Sequence, residues 1–259
     1  MSADSKTGTL TSAFLGIRWG HISSGFVSPT ENPFVKLALE GGKRMLSKNT
    51  IKNQKEVFSA KIIKEIVDKF NFSINLLEIR AVLLCLLGFC GFMRISELLS
   101  LRIIDLSFTD SGVKIKINKS KTDQLREGNL IFISKTSTKY CPVAWLNKYI
   151  LLANIGHEPN SFIFCRLVKI KDGHKAIATQ PISYSTALEN MRKHLPDHLD
   201  PKTYGTHSLR SGGASGAANN GVTDRMISKH GRWSLGESRD RYIKDDKEKR
   251  FSVSKLLGL

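Results

Sequence analysis

The run AVLLCLLGFCGFM, residues 81 to 93, restricts this chain more than any other stretch. It is apolar nearly all round, yet it is too short to cross a bilayer and is closely preceded by Glu78 and Arg80. A helix of that kind belongs at the centre of a protein core. Asn75, with Glu78 three residues on, supplies a helix start signal, so a central helix is predicted from there through Phe92.

The flanking patterns provide elements to wrap it. A helix over about residues 55 to 70 places Val57, Phe58, Ile62, Ile63, Ile66, Val67 and Phe70 on one broad face, with Lys and Glu on the other. VKIKI (113–117) alternates apolar and basic residues and NLIFI (129–133) returns after a turn-rich connection, which predicts a β-hairpin. Helix resumes in CPVAWLNKYILLAN, where Pro142 suits a first-turn position. FIFC (162–165) reads as a further short strand, and the chain from about 183 reads as helices separated by Gly, Pro and Asn. At the other end, ordered helix is expected to begin only at NPFVKLALEGGKRML. The fold class is therefore mostly α with a small antiparallel β-sheet (α+β). A chain of 259 residues can bury one core, or one core and a small helical appendage.

Charge narrows the partner. Forty Lys and Arg against 23 Asp and Glu leave a formal charge of +17, which favours a polyanion, nucleic acid above all, because basic groups near phosphates release condensed counterions. The N-terminal MSADSKTGTL lacks the regions of a secretory signal, and no long amphipathic basic helix with an aromatic face is visible, so neither secretion nor a membrane partner is expected. Cys85, Cys90, Cys141 and Cys165 lie in or beside apolar runs and read as buried thiols. Pro196 between His194 and His198 spoils the helical face that a metal pair needs, and no Gly-Lys-Ser/Thr phosphate cradle is present. No metal and no cofactor is expected.

Candidate chemistry gathers near the C-terminus. His207 and Arg210, three residues apart, share one face if helical and so suit one anion, although a lone His is also commonly a core residue. SGGASGAANNG follows, small enough for close approach of a backbone or a ligand. Tyr242 is an ordinary packing residue unless Arg and His surround it, when its phenol becomes a nucleophile for phosphorus. Upstream, Arg94 ends the apolar helix with Glu97 one turn on, either as a helix cap with its ion-pair partner or as part of an anion clamp.

Taken together these residues resemble the catalytic domain of the tyrosine recombinases, the phage-integrase family, and especially the versions carried by eukaryotic mobile elements. The likeness rests on Arg94 and Glu97 in GFMRISEL, a hairpin Lys in INKSKTDQ (Lys121, with Lys119 as understudy), His207 and Arg210 in THSLRSGGAS, and Trp233 nine residues before Tyr242. His230 stands twelve before Tyr242 and does not fit that last spacing. The likeness covers about residues 55 to 250.

The resemblance implies a DNA breaking-rejoining fold and a substrate of double-stranded DNA. It implies that Tyr242 attacks a backbone phosphate to give a 3′-phosphotyrosine, with Arg94 and Arg210 holding the non-bridging oxygens. His207 would be base or phosphate donor, Lys121 the acid for the leaving oxygen, Trp233 a donor or packing group, and Glu97 a support for the arginines. It also implies that residues 1–54 are the remnant of an N-terminal helical core-binding domain, so that the chain reads as truncated or a fragment, and that residues 55–259 are the catalytic domain. The tail positions Phe251, Val253, Leu256, Leu257 and Leu259 suit packing on a second copy, so self-association on DNA is expected. A nuclear location is expected if the host is eukaryotic, otherwise a cytoplasmic one. Two rival expectations are a catalytically silent DNA-binding protein derived from a mobile element and a type IB topoisomerase-like enzyme.

Overall fold

The computed structural model describes residues 7–48, 55–118, 129–234, 236–246, 248, 250, 251 and 254. Lys119, Lys121 and the tail positions Val253, Leu256, Leu257 and Leu259 lie outside them. The chain divides into two compact units, Met1–Gln54 and Lys55–Leu259.

In the first unit, helix α1 (Thr7–Ser23) and helix α2 (Pro33–Lys48) flank a 3-10 turn at Pro29–Glu31. The Ser28 hydroxyl caps that turn through the Thr30 N–H at 3.3 Å, and Glu31 pairs with Arg18 at 2.9 Å and Lys36 at 3.2 Å. Helix α1 lies before NPFVKLALEGGKRML, where periodicity puts the start of ordered helix, although the family resemblance implies a helical domain over residues 1–54. Its apolar residues are scattered rather than striped, so periodicity gave no signal: Leu15, Ile17, Trp19 and Ile22 are all exposed.

The second unit is built around helix α4 (Leu76–Cys90), whose residues 79 to 88 are all buried. Its start is set by Asn75, whose side chain accepts from the Leu77 N–H at 3.0 Å. Helix α3 (Ala60–Phe70), capped by Ser59, buries Ile63, Ile66 and Val67 on this core. After α4 come helix α5 (Ile95–Ser100) and strands β1 (Leu106–Thr109), β2 (Gly112–Ile117) and β3 (Asn129–Ser134). They form an antiparallel sheet in the order β1-β2-β3 with Val113 opposite Ile133 and Ile115 opposite Ile131. Those four side chains face the core, while Lys114, Lys116 and Phe132 face out, as two-residue alternation requires.

Helix α6 (Pro142–Ala153) follows, with Pro142 in its first turn and Asn154 ending it in the left-handed conformation. A second hairpin, β4 (Cys165–Ile170) with β5 (Gly173–Pro181), is a feature the sequence reading did not anticipate. Both strands are half exposed with no clean alternation, and Gly173 at φ 130° turns the chain between them. Within FIFC only Cys165 belongs to β4. Ile163 and Phe164 are instead fully buried core residues held by backbone bonds to Leu101 and Ile182, both at 2.9 Å.

The remaining helices are α7 (Tyr184–Lys193), α8 (Thr206–Asn219), α9 (Asp224–Gly231) and α10 (Gly236–Asp240). Small residues let α8 lie backbone to backbone on its neighbours. A Cβ on Gly212 would stand 2.0 Å from the Phe58 carbonyl oxygen, and one on Gly213 would stand 2.1 Å from that of Phe89. Neither carbonyl can withdraw as a flexible side chain would. Gly213→Ala is therefore expected to lower stability by about 1–3 kcal/mol, as overpacked cores do, measured by urea unfolding. An unchanged unfolding midpoint would show that the two helices have room to separate. Among the described residues no helix is long and apolar enough to cross a membrane, and no group of three or more His, Cys, Asp or Glu is placed to hold a metal ion.

Candidate active site

The site is made where the end of α4 meets the end of α9. The chain leaves α4 at Gly91, and Phe92 adopts a left-handed backbone with φ 45°. Arg94 then stands at the N-cap of α5, and Glu97, one turn on, reaches back. One carboxylate oxygen accepts from the Arg94 N–H at 2.8 Å and the other from its guanidinium Nη1 at 2.7 Å. At the other end Arg232 closes α9, also left-handed at φ 58°. Its Nη2 donates to Glu97 Oε2 at 2.7 Å and to the Phe92 carbonyl at 3.2 Å, and its Nη1 donates to the His230 carbonyl at 2.9 Å. Gly231 is required between them, because a Cβ there would lie 1.9 Å from the Trp233 ring.

Arg210 on α8 joins the two turns. Its Nη1 donates to the Phe92 carbonyl and its Nη2 to the Gly231 carbonyl at 2.5 Å. Left-handed backbone costs a non-glycine residue about 1–3 kcal/mol, and these guanidinium bonds to the Phe92 carbonyl offset that cost at one of the two positions.

Charge is concentrated and buried. Arg210 is 0% exposed, Arg232 8% and Glu97 2%. Three guanidiniums (Arg94, Arg210, Arg232) less one carboxylate (Glu97) leave two positive charges at this junction. Burial, then the charges of Arg94 and Arg232, weaken the hold of Arg210 on its proton. Burial acts likewise on Arg232, against the pull of Glu97. A cluster that repels itself in this way is stabilised by an incoming anion. Burial also lowers the His230 imidazole below the usual histidine range. Its Nε2 lies 2.8 Å from the Cys90 carbonyl, which can only accept, so that nitrogen carries the proton.

Aromatic rings cover Arg210. The Arg210 guanidinium lies 4.3 Å from the Trp233 ring centroid and 5.2 Å from that of Tyr242, within cation–π range. Tyr242 is half-buried, 5.3 Å from Trp233 and 6.1 Å from the His207 ring, centroid to centroid. A cleft of about 660 Å³ opens over them, lined by Arg94, His207, Arg232, Trp233 and Tyr242, with the hydroxyls of Ser96, Ser234 and Ser238 at its sides. Its occupant must therefore meet cations, hydroxyl donors and one phenol, a setting suited to a phosphate.

Six of the residues singled out from sequence are thus brought together: Arg94, Glu97, His207, Arg210, Trp233 and Tyr242. Lys121 lies outside the described residues. His207 and Arg210 share α8 but sit differently, His207 exposed at the cleft and Arg210 beneath the rings. Trp233 touches Tyr242, whereas His230 turns away to the Cys90 carbonyl and packs edge-on to Phe92. Arg232 received no role from the sequence. Its one signal is its place between Gly231 and Trp233, which cannot reveal a partner 135 residues earlier.

Comparison with known proteins gives the site its context. Residues 56–249 match the model of the Phage integrase family. An Integrase/recombinase xerD homolog of Selenomonas ruminantium is 29% identical over 247 residues, covering 94% of this chain and 70% of that protein. A Tyrosine recombinase of Pseudothermotoga lettingae is 32% identical over 131 residues, covering 51% of this chain and 40% of its own length. The fold matches that of XerH site-specific recombinase, solved bound to palindromic difH substrate as a post-cleavage complex, with TM-score 0.58 and 14% identity over 78% of this chain. This chain spans 53% of that XerH chain. Both curated relatives are bacterial. With a family match over most of its length, the chain belongs to the phage integrase family, the tyrosine recombinases.

Proposed function

We propose that the chain is a DNA strand transferase that cuts and rejoins double-stranded DNA site-specifically through Tyr242. The phenolic oxygen attacks a backbone phosphorus and the P–O5′ bond breaks, leaving a 3′-phosphotyrosine and a 5′-hydroxyl. The phenol's proton passes to a base, for which His207 at the cleft is the candidate, and the departing 5′-oxygen takes a proton from Lys121. Arg94, Arg210 and Arg232 supply the charge that stabilises the pentavalent phosphorus, held in place before the substrate arrives. Energy of the broken bond is kept in the phosphotyrosine, so rejoining needs no ATP, and the guanidinium charges give the transition state the stabilisation a metal ion would otherwise supply. The observation that carries this reading is a cleft lined by Arg94, Arg232 and Tyr242, with the buried Arg210 guanidinium 5.2 Å from the Tyr242 ring centroid beneath it.

Double-stranded DNA as partner is supported by the basic excess and by the palindromic difH substrate to which the XerH site-specific recombinase was solved bound. Self-association on that DNA, an origin in a mobile element, nuclear residence in a eukaryotic host, and descent of residues 1–54 from a core-binding domain belong to the same proposal and rest on the sequence resemblance. The test is incubation with duplexes nicked beside candidate sites, so that cleavage releases a short fragment and traps the covalent intermediate. A denaturation-resistant adduct whose nucleotide maps by mass spectrometry to Tyr242 is expected. An adduct at another residue, or tight DNA binding without any adduct, would refute the assignment and favour the silent DNA-binding alternative.

A further inference from the structure

Beyond Tyr242 the chain runs alongside α8, and the polar side chains of α8 bond its backbone in a regular series. Ser211 Oγ donates to the Tyr242 carbonyl. Ser215 Oγ donates to the same carbonyl at 3.3 Å and accepts from the Lys244 N–H at 2.8 Å. Asn219 Nδ2 donates to the Lys244 carbonyl at 3.2 Å, and its Oδ1 accepts from the Asp246 N–H at 3.2 Å. Four residues of helix rise about 6.0 Å, and two residues of extended chain advance about 6.6 Å. Side chains four apart on a helix therefore keep step with alternate peptide groups of an extended strand. Ser211, Ser215 and Asn219 are four apart, and their partners are residues 242, 244 and 246.

The same helix carries His207 and Arg210 on the turn before Ser211. One rigid element thus fixes the imidazole, a guanidinium and the height of the phenol, with no backbone hinge between them. Ser215 is 5% exposed, so its hydroxyl is committed to this segment rather than to water.

We propose that Ser211, Ser215 and Asn219 are positioning residues for the nucleophile: by pairing with the backbone of residues 242–246 they set the Tyr242 oxygen against the phosphate site built on the same helix. The proposal rests on Tyr242 being the nucleophile. Its test uses the full chain with Ser215→Ala, Asn219→Leu and the conservative Ser215→Thr. Three quantities are compared: hydrogen exchange of the Lys244 and Asp246 amides, duplex affinity, and the single-turnover rate of adduct formation on a nicked duplex. The rate is repeated on a duplex whose leaving oxygen is replaced by sulfur, which departs without an acid.

We expect Ser215→Ala and Asn219→Leu to expose those amides at least tenfold more and to slow adduct formation ten- to a hundredfold. Affinity should stay within threefold, and the deficit should persist on the sulfur substrate, because attack and not departure is impaired. Ser215→Thr should recover most of the rate. Exposed amides with an unchanged rate would overturn the proposal, as would a slowed rate with amides still protected or one cured by the sulfur substrate. Lack of any adduct from the unmodified protein would overturn the nucleophile reading itself, and this inference with it, a result distinct from variants that react as fast as wild type.

Discussion

Tyr242→Phe is expected to reduce covalent protein–DNA product to background, a loss of about 10⁴-fold or more, the scale on which removing a covalent nucleophile acts. The change deletes one oxygen. The ring still lies against Trp233 and over the Arg210 guanidinium, and the residue's carbonyl still receives the Ser211 and Ser215 hydroxyls. Stability and duplex affinity should therefore remain close to wild type, which separates loss of chemistry from loss of fold. Adduct on a nicked duplex, counted after denaturation, is the measurement. Phe-variant adduct at a tenth of the wild-type level would mean that another residue attacks.

The second large effect concerns stability. Glu97→Gln is expected to cost about 3–5 kcal/mol, the range in which removing one partner of a buried ion pair leaves uncompensated charge. Glu97 is the carboxylate to which Arg94 and Arg232 are paired, each at 2.7 Å, and its charge also favours the protonated form of Arg210. The isosteric amide keeps the shape but turns an NH₂ toward a guanidinium. Urea unfolding measures the cost. A second arm identifies its origin: sulfate or pyrophosphate should restore more stability to the variant than to wild type, because an anion in the cleft takes the place of the lost carboxylate. A loss below about 1 kcal/mol, or equal stabilisation of both proteins by anions, would show that the arginines are not held by this charge.

Much of the catalytic unit is legible in the chain because its signals are local. The apolar girth of residues 76–92, the Asn75 cap, the alternation of VKIKI and NLIFI, and Pro142 in a first turn each depend on neighbours within one or two turns, and each stands where periodicity put it. The α1 helix is invisible to periodicity because it presents no stripe, and the β4–β5 hairpin because neither strand alternates cleanly. The types Arg, Glu, His, Arg, Trp and Tyr are legible as an order and a spacing. Lys121, read the same way, lies outside the described residues.

What spacing along a chain cannot convey is which distant groups touch. Arg232 pairs with Glu97 across 135 positions, and Arg210 reaches the Phe92 carbonyl across 118. Those contacts exist because Gly212 and Gly213 let α8 approach residue 58 and the end of α4 backbone to backbone, and because Phe92 and Arg232 accept left-handed conformations that aim their groups inward. Residue order therefore specifies the helices, the hairpin and the inventory of reactive types, since short-range sterics and solvation act within a few residues. Only the packed tertiary structure decides that two guanidiniums pair with one carboxylate while a third lies beneath the Trp233 and Tyr242 rings, since burial and long-range pairing create that field.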